Sequence, residues 1–277
     1  TDLGHRFQVY LYGMPDAAER AALIEHSAMV DRLELVLNWE ETGDLAEDIE
    51  ALKTEAELRI ILSRVNRRDG AKNTGSRFNH LISHGFTLAE VSELEDFMKQ
   101  HPELIAGAQF TIPRSVSAWD TARSLADFAA RTGCAPVLYA KSTEASPAEA
   151  FDDPLANAER FSETALAGVG FGIDVVLDTL DDADRGYFTR TGLVDRRFNP
   201  RLAGEVISTI ALETLEGGWT AAPGDRPVLK KGDRRLWVAR AKEALDGDWI
   251  CPHGGLCGAA GETPDTELIL RVASRQR

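Results

Sequence analysis

Short apolar runs rich in β-branched residues alternate with amphipathic stretches along most of this chain. The runs are Phe7–Gly13, Leu33–Trp39, Leu58–Val65, the short His80–His84, Ile105–Ile112, Pro136–Lys141 and Ile173–Asp178. Runs of this length bounded by turn residues suit strands of a parallel sheet that is covered on both faces. The stretches between them carry helix signals. Pro15-Asp16 leads into a helix predicted over 17–30, with Ala17, Ala21, Ile24 and Ala28 at helical spacing; Asp44 can cap a helix that aligns Leu45, Ile49 and Leu52. Thr87 with Glu90 reads as a capping box, Ser117 with Asp120 as a similar start, and Ser146-Pro147, Asp153-Pro154 and Asn199-Pro200 as caps followed by a proline at the first helical position. Residues 67–79 hold turn chemistry instead of an apolar helix.

This alternation predicts an α/β fold, a (β/α)8 barrel of TIM type with a short C-terminal extension. The barrel is expected over 1–215. Residues 216–277 supply the barrel-closing strand or a small appendage: the runs Leu236–Ala241 and Glu267–Val272 suit either an eighth strand or two partners in an accessory ribbon.

In a parallel barrel the carboxyl ends of the strands meet at one face, so the residues closing each run are the candidates for chemistry. Lys141 ends an apolar strand whose neighbours could desolvate its amine and lower its pKa toward the range where it attacks carbonyls; the plainer reading is a lysine that pairs with a carboxylate and orients substrate. Asp178 shares one side of its strand with Asp174. It could act as a base or bind hydroxyls, or form a brace with Arg185, the nearest basic residue of the following segment. Asn38, Trp39 and Glu40 combine an amide, an aromatic platform and a carboxylate, a set that suits a sugar; an acid ahead of a helix is also simply a favourable neighbour of its N-terminus. His80 and His84 could serve in proton transfer, with His84 at the strand end, and would bind a divalent metal only with a carboxylate from elsewhere. Arg64, Gln109, Tyr139 and Lys141 are expected to position hydroxyls or a carboxylate of the substrate, with His80 and Arg185 also among its binding residues.

Composition narrows the classes. With 277 residues, 43% of them hydrophobic and 27% charged, the chain can bury a sizeable core. A net charge of −14 argues against nucleic acid as a partner. No stretch approaches the length of a membrane span and Thr1–Arg6 does not read as a leader, so a cytoplasmic protein is expected, with a small sugar-like molecule as its partner and homo-oligomerisation left open. Three cysteines do not make a disulfide framework in a chain this long. Cys251, His253 and Cys257 could offer three zinc ligands, against the plainer reading of a glycine-rich surface loop. No resident cofactor is expected, and a divalent metal enters only through those histidines and cysteines.

From Ala135 to Gly204 the chain resembles the closing segment of clan-A glycoside hydrolase barrels. The pieces are Ala135–Ser142, Asp153–Gly168, Ile173–Asp178, Gly192-Leu-Val-Asp195 and Asn199-Pro-Arg201. The resemblance implies a barrel and a sugar ligand. It departs at the catalytic glutamates: the nucleophile of that family would fall near Ala140 or Lys141, neither of them acidic, and the acid/base has only Asn38-Trp-Glu40 as a counterpart. Lys141-Ser-Thr is also similar, in a different order, to the lysine motif of deoxyribose-phosphate aldolase barrels. The expected function is therefore a carbohydrate-active enzyme that acts on a sugar or sugar acid by acid/base chemistry through Glu40, Asp178 and His84. The alternatives are a Schiff-base aldolase or lyase using Lys141, and a non-catalytic barrel that binds a saccharide or a protein.

Overall fold

The computed structural model describes residues 7–37, 43–56, 58–64, 85–112, 116–141, 153–178, 192–195, 197–240, 247–252, 257–259, 262 and 268–274. Strands and helices alternate through its first two thirds: β1 (Phe7–Tyr12), α1 (Ala17–Glu25), β2 (Val30–Leu37), α2 (Ala46–Ala56), β3 (Arg59–Arg64), α3 (Val91–Gln100), β4 (Gly107–Thr111), α4 (Ala118–Thr132), β5 (Ala135–Lys141), α5 (Pro154–Phe171), β6 (Asp174–Asp178) and α6 (Leu202–Thr214). The strands form one six-stranded sheet in chain order, β1-β2-β3-β4-β5-β6. The pairings of β1 with β2, β2 with β3 and β3 with β4 are parallel. Six apolar runs of the sequence are thus strands, within three residues at each end. The seventh, His80–His84, lies outside the described residues. Among the described residues β6 does not pair with β1, and these strands show no closed barrel.

The last third is built differently. β7 (Thr220–Ala221), β8 (Leu229–Lys231), β9 (Arg234–Arg240), β10 (Asp248–Ile250), β11 (Cys257–Gly258) and β12 (Leu268–Ser274) make a second six-stranded sheet, ordered β11-β10-β12-β9-β8-β7. Its described ladders are antiparallel. The runs around Leu236 and Leu270 are therefore partners of each other, with Leu270 opposite Val238, and neither joins the parallel sheet. This is the ribbon alternative, enlarged by four further strands into a sheet.

By contacts the chain divides into two units, residues 1–111 with 127–137, and residues 112–126 with 138–277. In the first unit the core lies between the strands and their helices: Leu33, Leu35, Ile60, Leu62 and Phe110 from the sheet, with Ile49, Leu52, Leu94 and Phe128, are all 0–1% exposed. The rings of Phe110 and Phe128 meet edge-on at 5.6 Å. Helix α1 departs from the predicted span. It stops at Glu25, a 3-10 turn covers Ser27–Met29, and β2 begins at Val30. Its buried residue is Leu23, whereas Ala17, Ala21 and Ala28 stay exposed and Ile24 is 41% exposed. An alanine stripe has little area to bury, so the one leucine decides which way the helix turns.

In the second unit α5 is the central element. Trp119 of α4 is fully buried against Phe171 of α5, with ring centroids 4.9 Å apart. Glu163 of α5 reaches the start of α4, where one carboxylate oxygen accepts from Ser117 Oγ at 2.5 Å and from the Trp119 amide at 3.1 Å. Two of the predicted helix starts are present. Asp153 accepts from the Leu155 amide at 2.9 Å ahead of Pro154, and Ser117 Oγ accepts from the Asp120 amide at 3.2 Å. Asn199 is not a helix cap. Helix α6 starts from Arg201 with no side-chain cap, and Asn199 instead closes a loop on Asp195.

Candidate functional site

Alternation along the strands sorts their residues onto two faces. In the first unit Phe110 turns toward Phe128 of α4, so Gln109 and Thr111 take the opposite face. The register continues that face across β3 and β2: Gly107 stands opposite Ile61, Ile61 opposite Glu34, Ser63 opposite Val36, and Arg59 opposite Arg32. One side of the sheet is thus aliphatic and meets the helices, while the other mixes Arg32, Glu34, Arg59, Ser63, Gln109 and Thr111 with the buried Val36, Ile61 and Gly107. Glu34 and Gln109 are 0% exposed, Ser63 1% and Thr111 8%. Gln109 Nε2 donates to Ser63 Oγ across a long 3.5 Å. Buried polar groups are retained only where hydrogen bonds or a ligand satisfy them.

The carboxyl ends of β3 and β4 are prised apart by Gly85 and Phe86. The Gly85 amide donates to Arg64 O at 2.7 Å, the Phe86 amide to Gln109 O at 2.8 Å and the Thr111 amide to Phe86 O at 2.9 Å. A side chain at Gly85 would place its Cβ 2.8 Å from the Thr111 nitrogen, and its φ of 115° belongs to glycine. The segment after the His80–His84 run is therefore a short wedge between two strand ends.

Of the candidate residues in this unit, Gln109 lies on the polar face. Arg64 lies on the other side of its strand from Ser63, in line with Leu62 and Ile60, and turns to the start of α3. There it forms an ion pair with Glu90, and Glu93 stands 3.7 Å from the same Nη1. Glu90 also accepts from the Thr87 amide at 2.7 Å and from Thr87 Oγ1 at 2.9 Å, the predicted capping box. The first partner of Arg64 is thus a carboxylate of its own chain.

In the second unit Tyr139 of β5 is 4% exposed, and its carbonyl accepts from the Ile112 amide at 3.2 Å. Lys141 is the last residue of β5 and Asp178 the last of β6, so both stand at strand ends as expected. On β6, Val175 turns to α5: a Cβ on Gly168 would lie 2.4 Å from its Cγ2. Asp174, one position earlier, takes the opposite side and is exposed. Asn38, Trp39, Glu40, His80, His84 and Arg185 lie outside the described residues, as does His253.

The approach to α6 is firmly built. The Asp195 carboxylate accepts from the amides of Arg197 at 2.7 Å and Asn199 at 2.9 Å, and from Asn199 Nδ2 at 2.9 Å. These bonds with Asn199, its side chain foremost, hold the Asp195 carboxyl below its usual pKa. Val194 bridges Pro200, and the Leu193 carbonyl accepts from the Arg201 amide at 2.9 Å. Gly204 lies against that carbonyl so closely that a Cβ would come within 2.4 Å of its oxygen. The Gly-Leu-Val-Asp and Asn-Pro-Arg motifs are therefore two sides of one loop.

Sequence reasoning missed Glu34. It sits in Leu33-Glu-Leu-Val-Leu37, which reads as an apolar run, yet Arg32, Glu34 and Val36 share one face by alternation. Period two in a run, not the count of apolar residues, is the signal that could have found it. Among the described residues no three His, Cys, Asp or Glu side chains gather as a metal site.

No protein-family model matches the chain, and no curated protein sequence matches it. Among solved structures, the chain aligns over 98% of its length with 94% of a GH30 endoxylanase from Clostridium papyrosolvens C71, at 10% identity and a TM-score of 0.29. It aligns over 95% of its length with 82% of an alpha-L-fucosidase GH29 from Bacteroides thetaiotaomicron, at 9% identity and a TM-score of 0.24. Both are glycoside hydrolases. At these TM-scores the backbones do not superpose as one fold, so neither carries an argument about this chain.

Proposed function

We propose that this chain is a carbohydrate-active enzyme of the (β/α) barrel kind, acting on a sugar or sugar acid by acid/base chemistry. The observation that carries this reading is the buried polar face of the parallel sheet, with Ser63, Gln109 and Thr111 toward the carboxyl ends of their strands. Hydroxyls and amides of this kind recognise a polyhydroxylated ligand, and the carboxyl end of a parallel strand is where such folds place their chemistry. Asp178, at the end of β6, is the proposed base, with Glu40 and His84 as its partners in proton transfer. Closure into an eight-stranded barrel belongs to the same proposal.

A panel of glycosides, uronides and free sugar acids tests the reading. Turnover of at least one of them is expected, reduced about a hundredfold or more by Asp178→Asn at unchanged melting temperature. Neither turnover nor binding anywhere on the panel would overturn it.

One observation favours a second reading. Lys141 follows Val137, Leu138 and Ala140, each 0% exposed, in the same strand. A lysine that ends so dry a strand suits imine chemistry with a carbonyl substrate, as in a Schiff-base aldolase or lyase. Borohydride added with aldehyde or keto sugars would leave a covalent adduct on Lys141; a Lys141→Met chain that is trapped equally well would exclude this reading.

A further inference from the structure

We draw no further inference here: the strongest candidate, the exposed Lys230 and Arg235 set directly opposite each other on the β8–β9 hairpin beside the half-buried Trp237, is a charged surface patch, and nothing in the structure shows what covers it.

Discussion

Cys134 and Asp195 have their titration set by surroundings the sequence does not announce. Cys134 is 2% exposed, and burial pushes its thiol up to about 12 from 9.0. The neutral thiol is the form the fold prefers, so its contribution is complete below pH 9, and it is lost as pH rises toward about 12 because the unfolded chain ionises first. Iodoacetamide at pH 8 is expected to leave Cys134 unmodified in the native protein and to label it after denaturation, read by peptide mass. Asp195 behaves the opposite way. Its pKa is lowered, so the support it gives is present above the usual aspartate range and is lost as pH falls through its lowered value. Asp195→Ala should loosen the 193–201 loop at neutral pH much as strong acid does in the native chain, seen as faster amide exchange at Arg197 and Asn199. Unchanged protection at these two amides would show that the backbone alone holds the loop. Such effects were illegible in the sequence, where Asp195 was part of a motif and its partners stand two and four residues on. Strand-end positions were legible, since Lys141 and Asp178 close their strands, but which face a residue takes was not: Arg64 turns to Glu90, and Glu34 hides among leucines.

At the level of elements, alternation and capping chemistry carried the reading, because both are local. The capping boxes at Asp16 and Thr87, and Asp153 with its proline, place helix starts through bonds within three residues. The cap assigned to Asn199 failed for a nonlocal reason: Asp195 competes for the same amide and side chain, and the helix begins two residues later. The wedge at Gly85 was likewise invisible, since it depends on two strands that the sequence sets far apart. Replacing that glycine tests how much the arrangement matters. Gly85→Ala must relax a positive φ and a contact with backbone atoms at once, so a loss of about 3 kcal/mol or more is expected in denaturant unfolding. A loss under about 1 kcal/mol would mean that the strand ends yield easily.

For the whole molecule, the sequence foresaw a boundary at residue 215, where turn residues replace helix signals. Composition does change there, but packing does not follow it. Residues 138–214 and the entire antiparallel sheet fall in one unit, with α5 in contact with β6, α6 and strands β7, β8 and β9. Leu229 of the second sheet lies against Gly170 of α5 beside Trp119, and Arg240 reaches back to Glu159 with two bonds of 2.6 and 2.8 Å. Turn chemistry marks where a chain changes direction, whereas a domain boundary is a matter of where contacts thin out. A chain ending at residue 215 should therefore lose the cover of α5 and be recovered largely as insoluble protein, in a solubility assay beside the full chain; a soluble, cooperatively melting fragment would restore the boundary at 215.

Helix α5 has one more consequence, for degradation. Its ends are fastened by different means: Asp153 caps the start, Gly172 closes the finish at φ 65°, and β6, β7, β8 and β9 pack against it. A protease that nicks the surface turn at Asp225 would leave two polypeptides still clasped along this helix, migrating as one particle until denaturant parts them.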